Sequence, residues 1–279
     1  GTKVYKLALN GGFTCPNRDG TKGSRGCIFC SAGGSGDFAE SPQLPVSEQL
    51  ALSKQRVAAK IKNGRYIAYF QAYTGTYAPA SRLRKLYYEA ASDPDVVIIS
   101  IATRPDCLGP DVLELLAELN TLKPVWVELG LQTIHEKTAE YIRRAYPLSV
   151  YDKAVNALTE RGIKVITHVI LGLPGEDLQM MKDTVSYVCA RTWGIKLQLL
   201  HILKGTDLAD EYAAGRVRAL TEDEYMDILA ECIQLIPDDV VVHRLTGDGP
   251  KKLLIAPMWS ADKKNVINRV RKVVSGLQP

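Results

Sequence analysis

No apolar run in this sequence reaches membrane-spanning length, although hydrophobic residues make up 46% of its 279 positions. A helical span needs about 20 consecutive apolar residues, so none is expected; a well-cored soluble protein is. A secretory leader is missing too. The chain starts almost inside a strand, however, and a segment ahead of Gly1 is expected, which weakens any targeting argument. Cysteine is sparse and its six copies do not form a disulfide framework, which fits a reducing cytoplasm. Charge of one sign is nearly balanced, with 35 basic against 31 acidic residues. That small excess is compatible with a polyanionic substrate and requires none. There is no repeat beyond a β-α period and no low-complexity linker, so one large α/β domain or two small ones are expected.

What is present is alternation. Strands are expected at Val4–Leu9, Tyr66–Gln71, Val96–Ile101, Val125–Leu129, Lys164–Leu171 and Gly194–Leu200. Helices are expected at Pro45 to about Lys62, Ala80–Ser92, Asp111–Leu122, Ile134–Ala145, Val150–Arg161 and Leu178–Arg191. The third strand is β-branched and apolar on both faces, as a buried parallel strand should be. Six β-α units imply parallel strands with right-handed crossovers, too few for a closed eight-stranded barrel. The fold class is therefore α/β, a partial (β/α)6 TIM-like barrel over residues 1–205. Residues 206–279 read as a short C-terminal α+β extension packed on it. There Thr221–Leu235 reads as a helix, Val240–Leu245 and Leu253–Ala256 as two strands joined by a Gly- and Pro-containing turn, and Asp262 to about Val274 as a basic last helix.

Three cysteines, Cys15, Cys27 and Cys30, lie in a Gly-, Asn- and Ser-rich stretch after the first strand. Three thiolates on one loop make a pocket for a soft metal centre. A structural zinc site closes with four protein ligands, whereas three ligands to an iron–sulfur cluster leave one metal position open. Zinc stays an open reading, because Cys-x-x-Cys is also a zinc half-site; no fourth Cys or His lies nearby in sequence.

In parallel α/β folds the site lies at the C-terminal strand ends, and these ends carry polar residues: Gln71, Thr74, Thr103, Glu128, Gln132, His168 and His201. Plainer readings stand beside the functional ones. His168 and His201 could be buried and hydrogen-bonded, Glu128 could pair with a basic neighbour, and the basic run from Lys263 to Lys272 could be a solvated helix face.

The stretches Cys15-Pro-Asn-Arg-Asp-Gly20, Gly26-Cys-Ile-Phe-Cys30, Tyr69-Phe-Gln-Ala-Tyr-Thr-Gly-Thr-Tyr77, Thr103-Arg-Pro-Asp-Cys-Leu108 and Leu171-Gly-Leu-Pro-Gly-Glu176 resemble the radical S-adenosylmethionine superfamily. More narrowly they are similar to the YhcC/YtqA-like bacterial family, a relative of the Elongator catalytic subunit and of the oxygen-independent coproporphyrinogen oxidases. The stretch Arg244-Leu-Thr-Gly-Asp-Gly-Pro and Ile255-Ala-Pro-Met-Trp-Ser260 extends the resemblance over nearly the whole chain.

The resemblance implies a [4Fe–4S] cluster on Cys15, Cys27 and Cys30, with S-adenosylmethionine on the fourth iron. One electron then cleaves it to methionine and a 5′-deoxyadenosyl radical. By the same resemblance Phe29 packs near the adenine, with Leu171 and Gly172 giving it backbone access. Ala72, Tyr73 and Thr74, following Gln71, hold the methionyl amino group. Gln132 grips the ligand, Arg144 pairs with the methionyl carboxylate and Arg143 is solvated, and His168 sits at the ribose. The cysteine spacing, eleven residues then two, departs from the commonest superfamily pattern and points to the Elongator-like branch. Arg144-Ala-Tyr146 stands where relatives read Arg-Gly-His, so no role is carried over from that histidine.

For substrate, the kinship and the basic tail suggest tRNA, at a wobble-uridine side chain, with a methyltransferase as partner. Flavodoxin or ferredoxin would donate the electron, and no membrane is involved. A small metabolite, as in the porphyrinogen branch, is an alternative substrate; a metal-binding RNA-interaction protein without catalysis is another class. Tyr73, Tyr77, Cys107 and His201 are the candidates for returning a hydrogen to product.

Overall fold

The computed structural model describes residues 3–37, 39–60, 64–247 and 249–276. In chain order the first elements are β1 (Val4–Leu9), α1 (Val46–Val57), β2 (Arg65–Phe70), α2 (Ala80–Ser92), β3 (Val96–Thr103), α3 (Pro110–Leu122), β4 (Val125–Gln132), α4 (Glu136–Tyr141) and α5 (Leu148–Thr159). They are followed by β5 (Lys164–Leu171), α6 (Leu178–Cys189), β6 (Gly194–Leu199), β7 (Ile202–Leu203), α7 (Asp207–Ala213), α8 (Glu222–Ile233), β8 (Val241–Arg244), β9 (Leu254–Ala256) and α9 (Lys263–Gly276). The chain divides into two compact units, one of Gly1–Ser24, Gly33–Gly130 and Ser149–Val165, the other of Arg25–Ala32, Leu131–Leu148 and Ile166–Pro279.

In the first unit β1, β2, β3 and β4 lie side by side in sequence order, every pair parallel. β-α-β connections permit this arrangement, because a helix carries the chain back to start the next strand in the same direction. The helices cover one face. Phe70 meets Tyr87 of α2 edge-on, with ring centroids 4.9 Å apart, and Leu7, Leu83, Ile99 and Leu115 are fully buried around them. Burying each such side chain stabilises the fold by about 1.5–3 kcal/mol.

In the second unit β5, β6 and β8 are parallel neighbours, and β7 pairs antiparallel with β9. Its core gathers Ile28, Ile142, Ile170, Leu200, Ile202 and Leu208. Helix α8 begins with a capping box: Glu224 N–H donates to Thr221 Oγ1 at 3.2 Å, and Thr221 N–H donates to Glu224 Oε2 at 2.8 Å. Asp177 and Thr206 cap α6 and α7 in the simpler way, each accepting one N–H of the first turn.

Two sequence expectations change. The helix over Ile134–Ala145 shrinks to Glu136–Tyr141, because Arg143 and Ala145 adopt left-handed backbone, φ +57° and +61°, which no α-helix continues through. In the tail β8 joins β6, and β9 joins β7. The helix expected to reach about Lys62 ends at Val57 and passes into a 3-10 turn at Ala58–Lys60, its last residues lying outside those described. Asp248 of the turn between β8 and β9 lies outside them too.

Candidate functional site

Among the candidates in the first unit, Cys15 opens a tight turn after β1, its carbonyl accepting from Arg18 N–H at 2.8 Å and Asp19 N–H at 3.2 Å. The corner after β2 is tied to the same loop. Thr74 N–H donates to the Thr14 carbonyl at 3.3 Å, Tyr73 N–H to Gly34 at 2.7 Å, and Gly75 N–H to Ala102 at 2.8 Å. Tyr73 is held in left-handed backbone at φ +57°, and its ring fills the space a Cβ on Gly34 would need, 2.4 Å away. Non-glycine residues in this region cost about 1–3 kcal/mol each and gather where surroundings fix them for a purpose. Ala72 and Thr74 are buried, and Gln71 is half-buried at the strand end. Thr103 is also buried, its hydroxyl 2.6 Å from that of Thr76, which in turn lies 2.6 Å from the Cys107 carbonyl. Thr103 therefore anchors the corner from β3.

Glu128 lies in the middle of β4 rather than at its end, because the strand runs on to Gln132, and it accepts from Lys6 Nζ, Ser100 Oγ and Tyr69 OH at 2.6, 2.8 and 2.8 Å. Its carboxylate is thus engaged by a basic neighbour, the plainer of its two sequence readings.

Tyr77 and Cys107 come together in a cavity of about 520 Å³, with Lys22, Asp106 and Val112 among its walls. Burial works against the Asp106 carboxylate, but hydrogen bonds and charge from Arg104 and Lys22 outweigh it and hold its pKa below the usual range. The Cys107 thiol is pushed up to about 12, chiefly by burial and further by Asp106. Nothing in the sequence pattern announced this cavity, since its residues come from three separate stretches of the chain.

In the second unit Cys27 and Cys30 share a turn closed by Cys30 N–H to the Cys27 carbonyl at 3.0 Å. The residue between them fixes the turn. Ile28 is buried in the core, donates to the Ile142 carbonyl at 3.3 Å and accepts from Leu208 N–H at 2.9 Å. The Cys27 thiol lies 3.6 Å from the Arg143 carbonyl, and Phe29 packs on the same core.

Gln132 adopts φ +73°, and its side-chain carbonyl oxygen is buried with no hydrogen-bond partner among the described residues. An acceptor kept dry and unused is expensive, so it fits a site completed by a ligand's donor. Arg144 is buried to 2% exposure; it donates to the carbonyls of Thr133 and Tyr146 at 2.5 and 3.0 Å and to Glu136 Oε2 at 3.1 Å. Its guanidinium braces the chain that follows β4. Arg143 is more exposed and pairs with Asp207, which also holds Arg25.

His168 is half-buried on β5, in register with Lys196 of β6. His201 Nε2 lies 3.2 Å from Ser260 Oγ, and its ring occupies the space a Cβ on Gly247 would need, 2.7 Å away. Leu171 is fully buried, and Gly172, at φ +86°, faces Leu220 so closely that a Cβ would sit 2.7 Å from it. A side chain at residue 172 is excluded on both counts.

All six cysteines are thiols rather than disulfides. Burial raises the Cys189 thiol to about 11 and the Cys232 thiol to about 12, so these two and Cys107 resist the thiolate form a metal needs. Cys15, Cys27 and Cys30 are half-exposed on loops instead. Among the described residues no three Cys, His, Asp or Glu side chains are assembled as a metal site. Within the second unit the loop thiols of Cys27 and Cys30 are soft donors of the kind an iron–sulfur cluster takes, and the buried Gln132 oxygen is an acceptor suited to a polar ligand.

The Radical SAM superfamily pattern matches residues 18–188, and the Radical_SAM C-terminal domain matches residues 192–275. YtqA of Bacillus subtilis (strain 168) is 49% identical over 98% of this chain and 85% of its own length. YhcC of Escherichia coli (strain K12) is 40% identical over 94% of this chain and 84% of its own. The tRNA uridine(34) acetyltransferase of Methanocaldococcus jannaschii is 26% identical over 57% of this chain and 30% of its own length. The archaeal Methanocaldococcus infernus Elp3, solved with residues 1–46 deleted, superposes with a TM-score of 0.72 at 16% identity over 99% of this chain and 64% of that one. That likeness shows the fold, a partial barrel of the radical SAM type with its C-terminal extension. The chain belongs to the radical SAM superfamily of enzymes, in the YhcC/YtqA-like family.

Proposed function

We propose that this protein is a radical S-adenosylmethionine enzyme that modifies a wobble-uridine side chain of tRNA. Cys15, Cys27 and Cys30 would hold a [4Fe–4S] cluster, and Gln132 would accept from the bound S-adenosylmethionine. The buried oxygen of Gln132 carries this reading, because no described residue donates to it. When bound, the cluster supplies the electron that splits S-adenosylmethionine into methionine and a 5′-deoxyadenosyl radical. The chain's own residues orient and shelter that chemistry. The Gln71–Tyr77 corner is pinned to the cysteine loop, and Ile28 nails the Cys27–Cys30 turn into the core.

The substrate reading draws on two supports. A relative is named for tRNA uridine(34), and α9 is basic, with Val266 as its buried residue. Along it Lys263, Lys264, Arg271 and Lys272 accompany Arg269, which pairs with Glu222 and Asp223 of α8. A basic helix of this kind suits a phosphate backbone. A flavodoxin or ferredoxin would deliver the electron, and a methyltransferase would act on the same nucleoside. No described helix is long and apolar enough to cross a membrane.

Two measurements test the reading. Anaerobic reconstitution with iron and sulfide should give a brown cluster and dithionite-dependent 5′-deoxyadenosine. Mass spectrometry of tRNA nucleosides from deletion and wild-type cells should then differ at wobble uridines; identical nucleosides would sink the substrate assignment.

A further inference from the structure

Strands of a buried parallel sheet are ordinarily apolar on both faces. One face of the first unit's sheet departs from this. Phe70 points toward α2, where its ring meets Tyr87, so the preceding Tyr69 points to the opposite face. There one carboxylate gathers a side chain from each of the other three strands. Tyr69 of β2 donates to Glu128 Oε2, while Ser100 of β3 and Lys6 of β1 donate to Oε1. Glu128 and Ser100 are sealed, at 1% and 0% exposure, but the Lys6 side chain keeps 30%. Replacing such a buried ionic network by apolar residues is often neutral or stabilising, so stability alone does not call for it.

Lys6 is the member that reaches solvent. Its ammonium is fixed between Glu128 and the face of the Tyr69 ring, 4.6 Å from the centroid. An ammonium has three N–H donors, and among the described residues Glu128 is the one side chain that accepts from it. Donors therefore remain for a ligand. Because Glu128 balances its charge, this ammonium suits a neutral acceptor oxygen better than a phosphate.

We infer that Lys6 is a substrate-binding residue that donates to a carbonyl oxygen of the base being modified, with Glu128 as its positioning residue. On the function proposed above, on which this rests, that oxygen is a pyrimidine carbonyl. The network lies in the same unit as Cys15 and the Gln71–Tyr77 corner.

The test is turnover of tRNA from deletion cells by the reconstituted full chain and its Lys6→Met, Lys6→Arg and Glu128→Gln variants. Lys6→Met should raise the KM for tRNA about tenfold or more, with kcat changed far less. Lys6→Arg should recover part of the loss, and Glu128→Gln should raise KM in the same direction. The slope of log KM against log salt should stay at the wild-type value in Lys6→Met, since no phosphate contact is lost. Where the lone Lys6→Met change abolishes the melting transition by leaving Glu128 unpaired, the double variant Lys6→Met/Glu128→Gln keeps the network neutral and is read in the same way. An unchanged KM in a folded variant would overturn the inference, as would a salt slope reduced by about one. A wild-type enzyme inert on that tRNA would overturn the proposed function and this inference with it. A wild-type enzyme that turns the tRNA over, beside an indifferent Lys6→Met, removes the inference alone.

Discussion

Thr74 donates its backbone N–H to the carbonyl of Thr14 at 3.3 Å, so the corner after β2 hangs on the residue that precedes Cys15. Cys15 is thereby held by its own tight turn on one side and by a strand end on the other. Backbone hydrogen bonds thus fix a loop rich in small polar residues on both sides of Cys15.

The cysteines should separate into two classes. Alanine at Cys15, Cys27 or Cys30 should abolish the reconstituted iron–sulfur absorbance. Alanine at Cys189 or Cys232 should leave iron and sulfide content at the wild-type level, because those thiols are buried and their pKa values are raised by that burial. Iron and acid-labile sulfide per chain measure this; full loading in a Cys27→Ala protein would refute the assignment.

Gln132 offers a test in which stability and binding move oppositely. Its side-chain oxygen is buried and unpartnered, a state that costs about 1–3 kcal/mol. Gln132→Met removes that polar atom while keeping the length of the side chain. The ligand-free protein should gain about 1 kcal/mol in a urea melt. Its affinity for S-adenosylmethionine should fall, as read by equilibrium dialysis of the reconstituted protein. Loss of stability together with unchanged affinity would remove Gln132 from the site.

Much of this architecture was legible along the chain because its signals are local. The period of the apolar runs gave β1 and β5 to the residue, and the cysteine loop stood out against polar, glycine-rich surroundings. Other features depend on contacts that no short window contains. Residues 134–145 have an amphipathic helical pattern, yet Arg144 turns inward to donate to Thr133 and Tyr146, and the backbone around it leaves the helix. Lys6, alone in an edge strand, reads as an ordinary solvated lysine until the strand register brings it to Glu128. The partners of β8 and β9 are set by distant strands, so no short window of sequence names them.

Arg144 should behave as a brace. Arg144→Leu would take a charged donor from two buried carbonyls, those of Thr133 and Tyr146, and should destabilise the protein by about 3 kcal/mol or more. Arg144→Lys should recover little, because a single ammonium cannot span the fork that reaches Thr133, Tyr146 and Glu136 together. Chemical denaturation of the three proteins decides it. Wild-type stability in Arg144→Leu would show that the guanidinium serves a ligand instead.

Glu176 gives a pH dependence of definite sign. Burial raises its pKa above 4.5, the hydrogen bond from Thr133 opposing this only in part. A carboxyl group whose pKa is higher folded than unfolded favours the folded state below the unfolded value, and that advantage fades as pH rises through the folded value. At neutral pH the ionised Glu176 is therefore a net burden on the fold. Glu176→Gln keeps an acceptor for the Thr133 hydroxyl, 2.5 Å away, and removes the charge. The variant should melt above the wild type at pH 7, and the difference should shrink steadily as pH is lowered through the folded pKa toward 4.5. Thermal melts of both proteins across pH 4 to 8 read this directly. A difference that is constant with pH would mean that folding leaves the Glu176 charge unperturbed, and one that grows toward acid that the fold stabilises it; either result refutes the burden assigned to it here.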